Sequence, residues 1–143
     1  MDYKNITVAG SGVLGSQIAF QTAFKGFNVS VYDINDKALE KAKERFYQLK
    51  SAYQEDLGAT KEEVDTAYNR LSFYSDLKQA VKEADLVIEA VPEVEKIKTD
   101  FYTKLAKAAP EKTVFASNSS TLLPSQFAEV TGRPEKILKF TLC

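Results

Sequence analysis

The chain has 143 residues, enough for one domain, and its 44% hydrophobic content is typical of a globular protein. Lys and Arg (19) nearly balance Asp and Glu (20), so there is no basic excess of the kind that favours nucleic acid or a membrane surface. Cys143 is the only cysteine and there is no histidine, which excludes an internal disulfide and a Cys/His zinc site, and no metal is predicted. No apolar run is long enough to cross a bilayer and the first residues do not resemble a secretory signal, so we expect a cytoplasmic protein.

Strands and helices are predicted to alternate along the chain. Short apolar, β-branched runs predict strands at residues 6–9, 29–32, 71–74, 86–90, 114–117 and 137–140. Apolar residues that recur every three or four positions predict helices at residues 13–25, 36–56, 76–83, 94–108 and 124–130, with Gly26 capping the first. Such alternation predicts right-handed βαβ units, and therefore an α/β fold with a doubly wound parallel sheet.

A helical pair is predicted between the second and third strands. Its first helix is predicted to begin at the N-cap Asp36 and to end before Gly58. Thr60 and Glu63 form a capping box that predicts a second, shorter helix. Because this pair is longer than a crossover between two strands needs, we expect it to project from the domain or to touch another part of the molecule.

The strongest functional motif lies between the first predicted strand and the first predicted helix. It consists of Gly10, Ser11, Gly12, Val13, Leu14 and Gly15. Gly10 permits a tight turn, Gly12 leaves room for a pyrophosphate, and Gly15 lets the helix pack close to the strand. The helix N-terminus would present its N–H groups to that anion. The motif predicts a Rossmann-like dinucleotide-binding domain, and a tight turn without a ligand is the alternative.

Asp33 follows the second strand, at the distance expected for an acid that binds the adenosine ribose. Its carboxylate would accept hydrogen bonds from the ribose hydroxyls and repel a 2′-phosphate. Ile34 and Asn35 follow, with no Arg to hold that phosphate, so NAD is favoured over NADP. A turn or helix-capping role is the alternative for Asp33, although Asp36 fits that role better. FAD uses a similar fold, so the glycines alone do not decide between NAD and FAD.

Two polar segments follow later strands, at the edge of the sheet where ligands bind in such folds. The fourth strand leads into Glu89, Ala90, Val91, Pro92 and Glu93. Glu89 is unusual in an apolar strand, and we expect it to lie at the rim or to pair with a Lys. Glu93 and Lys98 either line the cofactor crevice or are solvated surface residues, and composition alone favours the surface.

The fifth strand leads into Ser117, Asn118, Ser119, Ser120 and Thr121. These side chains are well placed to hydrogen-bond a substrate or the nicotinamide. Without a histidine base a nucleophilic serine is not expected. A loop that caps its own backbone is the alternative.

Together these motifs resemble the 3-hydroxyacyl-CoA dehydrogenases, in particular the bacterial 3-hydroxybutyryl-CoA type, over residues 3–140. The resemblance implies that the chain is the NAD-binding domain of an enzyme of fatty-acid or butanoate metabolism, which oxidises (S)-3-hydroxyacyl-CoA by hydride transfer to NAD. It implies that residues 10–15 bind the pyrophosphate and Asp33 the adenosine ribose. It also implies a nicotinamide side formed by Ala90, Val91, Glu93, Lys98, Asn118 and Ser120. In the family, the serine matched by Ser120 hydrogen-bonds the 3-oxygen of the substrate.

The end of the chain departs from that family. The family's sixth strand ends in a segment resembling Leu-His-Phe, whose His is the general base, and this position falls on Thr141. The helical domain that closes over the acyl-CoA and forms the dimer is absent from these residues, so we expect a fragment boundary, a truncation or an altered reading frame near Lys139. We therefore expect the chain to bind NAD with little turnover alone, and any homo-oligomer to lack the usual dimerisation domain. The alternatives are a non-catalytic nucleotide-binding module and a sugar-acid dehydrogenase of the gulonate type.

Overall fold

The computed structural model describes residues 3–117 and the backbone of residues 137–139. The strands in these ranges are β1 (Asn5–Ala9), β2 (Asn28–Tyr32), β3 (Leu71–Tyr74), β4 (Leu86–Glu89), β5 (Val114–Ser117) and β6 (Ile137–Lys139). The helices are α1 (Val13–Phe24), α2 (Asp36–Leu57), α3 (Lys61–Asn69), α4 (Leu77–Ala80) and α5 (Glu95–Ala108). The predicted alternation of strands and helices is therefore confirmed. The helix predicted at residues 124–130 lies outside the described residues.

All strands pair in parallel, in the order β3-β2-β1-β4-β5-β6. The predicted doubly wound sheet is confirmed, since the chain builds outward from β1 in both directions. Ala9, the last residue of β1, pairs with Tyr32 on one side and Glu89 on the other. The carboxyl ends of these three strands are therefore level, and a crevice is expected where the connections diverge.

Helices cover both faces of the sheet, which explains why its central strands are almost continuously apolar. Val8 and Ile88 belong to a core shared with α1, α2 and α3. Ala9 and Val87 point to the opposite face, where they belong to a core shared with α4 and α5. Neighbouring residues of one strand thus contribute to two different cores.

The predicted N-cap of α2 is wrong by one residue. Asn35 is the cap, and its side chain accepts a hydrogen bond from the backbone N–H of Ala38 at 2.9 Å. Asn35 has the extended backbone from which a side chain reaches that N–H, whereas Asp36 is already the first helical residue. The capping box of α3 is confirmed, because Thr60 and Glu63 each accept a hydrogen bond from the backbone N–H of the other.

The helical pair touches α1 and also extends beyond the strands. The 22 residues of α2 span about 33 Å, roughly twice the length of a five-residue strand. Tyr53 packs edge-on against Phe20 of α1, with ring centroids 4.7 Å apart. Leu57, at the far end, is 68% exposed. The pair therefore packs against α1 at Tyr53, and the C-terminal end of α2 is exposed.

The remaining differences from the predicted elements concern boundaries. The helix predicted at residues 76–83 is only the four residues of α4, with its predicted N-cap Asp76 in place. The strand β4 ends at Glu89, one residue earlier than predicted. The first helix ends at Phe24, one residue earlier than predicted, and the predicted Gly26 follows its C-cap with a φ of 108°. Among the described residues, no helix has both the length and the apolar character that a membrane span needs.

A pair of neighbouring substitutions tests the core under α2. Phe46 is fully buried and its ring packs against Phe20, Tyr68 and Phe73. We expect Phe46→Ala to lower the free energy of unfolding by about 3–5 kcal/mol, because it leaves a cavity. The adjacent Tyr47 is 57% exposed, so Tyr47→Ala should cost less than about 1 kcal/mol. Urea unfolding of both variants measures the difference, and equal losses would contradict this packing.

Candidate functional site

A cleft of about 620 Å³ lies beyond the carboxyl ends of β1, β2 and β4. The glycine turn, residues 10–15, forms its floor. Tyr32, Asp33 and Ile34 form one wall, and the segment from Ala90 to Pro92 together with one face of α5 forms the other. The structure therefore brings together the glycine turn, Asp33, Ala90 and Val91, as the sequence predicts.

The glycines of the turn have different physical reasons to lack a side chain. A Cβ atom on Gly10 would lie 2.4 Å from the carbonyl oxygen of Ala90, and its φ of 104° also disfavours other residues. A Cβ atom on Gly15 would lie 1.9 Å from the carbonyl oxygen of Gly10. A Cβ atom on Gly12 would meet no atom within 4 Å. Packing thus requires Gly10 and Gly15, whereas Gly12 keeps a space open in the cleft.

The N-terminus of α1 begins at this open space. Gly12 is the N-cap residue and makes no side-chain capping bond, and the first turn contains no acidic residue. The first backbone N–H groups of a helix have no partner within the helix, and the helix dipole is positive at this end. The empty space at Gly12 and these donors fit a pyrophosphate group.

Asp33 is held at the edge of the turn. The backbone N–H and the hydroxyl of Ser11 donate to Asp33 Oδ2 at 2.9 and 2.5 Å. The backbone N–H of Ile34 donates to Oδ1 at 2.7 Å. The helix-capping alternative for Asp33 is wrong, since Asn35 caps α2. The position suits a ribose, and contact between Asp33 and a ribose stays a prediction.

Ser11 connects the turn to two residues that the sequence analysis did not assign to the site. Its carbonyl oxygen accepts hydrogen bonds from the hydroxyl of Ser16 and from the guanidinium of Arg45, each at 3.0 Å. Ser11 is itself buried. Arg45 belongs to α2 and is separated from Ser11 by 34 residues, so no local pattern in the sequence could have identified this contact.

A buried ionic cluster lies behind the wall that follows β4. The ammonium of Lys98 lies 2.8 Å from both carboxylate oxygens of Glu89. Glu89 and Lys98 are 1% and 0% exposed. The prediction that Glu89 pairs with a Lys is confirmed, and the alternative that Lys98 is a surface residue is wrong. Lys98 is buried because it lies on the same face of α5 as Tyr102 and Leu105, which face the sheet.

Neutral donors and a second carboxylate complete this cluster. Tyr102 and Ser117 donate their hydroxyls to Glu89 Oε1 at 3.1 and 2.7 Å, and the backbone N–H of Val91 donates to Oε2 at 2.9 Å. Burial, followed by the charge of Glu89, raises the pKa of the Tyr102 hydroxyl well above its ordinary value, so this group stays a donor. Glu93 approaches the ammonium of Lys98 at 3.1 Å.

Glu93 and Lys98 thus lie beside the cleft and not in the part of its lining that the structure describes. Direct contact of either residue with a cofactor stays a prediction. The structure adds Ile97, Asp100, Phe101 and Lys104 to the wall. Their spacing of three and four residues indicates one face of α5, but the sequence analysis used its apolar members only to predict the helix. The candidates Asn118, Ser120 and Thr141 lie outside the described residues.

Comparison with known proteins gives this geometry a family context. The sequence profile of the 3-hydroxyacyl-CoA dehydrogenase NAD-binding domain matches residues 5–140. A probable 3-hydroxybutyryl-CoA dehydrogenase of Bacillus subtilis is 38% identical over 96% of this chain and 48% of its own length. The mitochondrial hydroxyacyl-coenzyme A dehydrogenase of Homo sapiens is 33% identical over 93% of this chain and 44% of its own. The chain therefore spans about half the length of these curated relatives.

A solved structure extends the comparison to the fold. A diketoreductase, described as acting on dicarbonyl compounds, matches with a TM-score of 0.97 and 53% sequence identity. The match covers all of this chain and 51% of that one. The architecture of this chain is therefore shared with about half of a longer chain.

Two glycine substitutions separate binding from folding in the turn. We expect Gly12→Ala to leave the unfolding free energy within about 1 kcal/mol, because its methyl group meets no protein atom. The same methyl group should weaken NAD binding by about ten-fold or more, since overpacking typically costs roughly 1–3 kcal/mol. Gly15→Ala should instead destabilise the fold, because its Cβ would overlap the carbonyl of Gly10. Calorimetric titration and thermal unfolding measure the two effects, and unchanged NAD binding by Gly12→Ala would contradict the assignment of this space.

Proposed function

Since the chain belongs to the 3-hydroxyacyl-CoA dehydrogenase family and forms its NAD-binding domain, we propose that the whole protein oxidises the 3-hydroxyl group of an acyl-CoA with NAD as the hydride acceptor. The observation that carries the proposal is the arrangement at the switch point of the sheet. Open space at Gly12, the N-terminus of α1 and the carboxylate of Asp33 adjoin one cleft. The substrate class is inferred from the names of the relatives.

Each part of the cleft has a proposed share in binding. Asp33 lies beside β2 and would accept hydrogen bonds from the adenosine ribose, while the N-terminus of α1 would bind the pyrophosphate. The nicotinamide half would then lie over the ends of β4 and β5, beside Ala90 and Val91. When bound there, NAD supplies the hydride-accepting ring. The protein would hold this ring in position, and it supplies the carboxylate of Asp33 and the N–H groups of α1 that would bind the rest of the cofactor.

The proton of the substrate hydroxyl needs a base that these residues do not provide. The 143 residues contain no histidine, and the resemblance places Thr141 where the family has its base. Loss of a general base typically lowers the rate by 10²–10⁴-fold. We therefore propose that this chain by itself binds NAD without efficient turnover.

A second candidate is the reduction of a dicarbonyl compound. The diketoreductase is 53% identical to this chain, against 38% for the Bacillus subtilis relative. Both reactions transfer a hydride between a nicotinamide and a carbon that bears oxygen, so one cofactor domain can serve either. The acyl-CoA reaction remains our first proposal because the family profile and both of the curated relatives described above carry that name.

The choice between NAD and NADP tests the role of Asp33. We expect the chain to bind NAD more tightly than NADP, because the carboxylate repels a 2′-phosphate. Asp33→Asn should weaken NAD binding by about ten-fold, as hydrogen bonds to charged groups contribute roughly 1.5–3 kcal/mol, and should narrow the difference between NAD and NADP. The matched control is Asp36→Asn, which changes an exposed acid in the first turn of α2. It should change neither the affinity for NAD nor the difference between NAD and NADP. Calorimetric titration measures the affinities of the three proteins for NAD and for NADP, and equal binding of NAD and NADP by the unsubstituted chain would refute this role.

The turnover proposal has its own assay. The purified chain is incubated with NAD and (S)-3-hydroxybutyryl-CoA, and NADH is followed by its absorbance. We expect no NADH formation above the rate without enzyme, because these 143 residues contain no histidine to act as the general base. Sustained NADH formation that depends on the acyl-CoA would overturn the proposal, while NAD binding measured in parallel shows that the cofactor site is intact.

A further inference from the structure

The peptide that joins Ser11 to Gly12 is held in place by side chains from outside this peptide. The carbonyl oxygen of Ser11 accepts hydrogen bonds from the hydroxyl of Ser16 and from the guanidinium of Arg45, each at 3.0 Å. The backbone N–H and the hydroxyl of Ser11 both donate to Asp33. Ser11 is buried, and each of its polar groups therefore has a partner.

The direction of this carbonyl also sets the direction of the next N–H group. The C=O and N–H groups of a trans peptide point in opposite directions. The N–H of Gly12 therefore points away from Arg45 and Ser16. Among the described residues this N–H has no hydrogen-bond acceptor, and Gly12 itself lines the cleft at the open space. The donor is thus held in one direction and left free for a ligand.

Arg45 reaches this peptide from the middle of α2. Its neighbour in the chain, Phe46, is fully buried and packs against Phe20 of α1, which anchors the helix at this point. Arg45 is not in the part of the cleft lining that the structure describes. Its guanidinium therefore acts on the cleft through the glycine turn and not by lining it.

We propose that Arg45 is a positioning residue for the dinucleotide, which holds the glycine turn in its binding conformation before the ligand arrives. This inference rests on the binding of NAD in the cleft and not on the identity of the substrate. A segment that is already ordered loses less conformational freedom when a ligand binds, so its affinity is higher. Without the guanidinium, only the hydroxyl of Ser16 would hold the carbonyl of Ser11, and the ligand would have to order the turn.

The test compares NAD binding and stability in matched arginine variants of the whole chain. Arg45→Met removes the guanidinium and keeps much of the aliphatic stem. Arg70→Met is the control, because the guanidinium of Arg70 donates to the backbone carbonyl of Ala23 at 2.8 Å and lies outside the described lining of the cleft. Both arginines are partly buried. Calorimetry gives the dissociation constant of NAD, and urea unfolding gives the stability of each variant.

We expect Arg45→Met to raise the dissociation constant of NAD by about three- to ten-fold, which is the typical effect of one lost hydrogen bond. Arg70→Met should leave this constant unchanged even though it loses a similar hydrogen bond and some stability. Arg45→Lys, which keeps a cation and a donor, should recover part of the affinity. Ser16→Ala removes the other donor to the same carbonyl and should also weaken NAD binding, so the proposal is tested even if Arg45→Met does not fold.

A double substitution separates positioning from a general effect on the fold. In a chain that carries Gly12→Ala, the methyl group already occupies the open space, so adding Arg45→Met should weaken NAD binding by less than about two-fold. A general loosening of the fold would instead lower the affinity by the same factor in both backgrounds. Equal losses in the two backgrounds, or unchanged NAD binding by a folded Arg45→Met or Ser16→Ala variant, would overturn the role of Arg45 alone. Failure of the unsubstituted chain to bind NAD would overturn the cofactor site as well.

Discussion

The close approach of two backbone segments at the centre of the sheet determines where everything else in the cleft lies. Gly10 lies so near the carbonyl of Ala90 that a Cβ atom would be 2.4 Å from that oxygen. This contact joins the turn after β1 to the segment after β4, which are the floor and one wall of the cleft. Gly15 packs against the carbonyl of Gly10 in the same way and fixes the start of α1. Contacts that require the absence of side chains thus aim the helix N-terminus into the cleft.

The same wall is supported from behind by a charged group, which is unusual because burial of an ion pair has a high desolvation cost. Glu89 compensates for this cost with donors from Lys98, Tyr102, Ser117 and the backbone of Val91. These donors come from α5, from β5 and from the wall itself. One carboxylate therefore ties together three elements that must keep their positions when a ligand enters the cleft. An apolar side chain could fill the same volume but could not hold the backbone N–H of Val91.

The sequence was sufficient for features that depend on local chemistry and insufficient for those that depend on distant contacts. The strands, the capping box at Thr60 and the glycine turn each have a pattern within a few residues, and all are confirmed. The N-cap of α2 was missed because Asn35 and Asp36 are adjacent and both residue types are good caps. The burial of Lys98 follows from the packing of α5 on the sheet, which the average exposure of lysine does not reveal. The contact of Arg45 with the turn joins residues far apart in the chain and had no sequence signal.

The carboxylates on the two sides of the cleft have different surroundings. Asp33 is a partly exposed carboxylate in the cleft wall, where hydrogen bonding and repulsion of a phosphate act at short range. Glu89 is hidden, and its oxygens accept hydrogen bonds from the ammonium of Lys98 and from the backbone N–H of Val91. One carboxylate therefore lies where a ligand can meet it, whereas the other holds in place the wall that a ligand would contact.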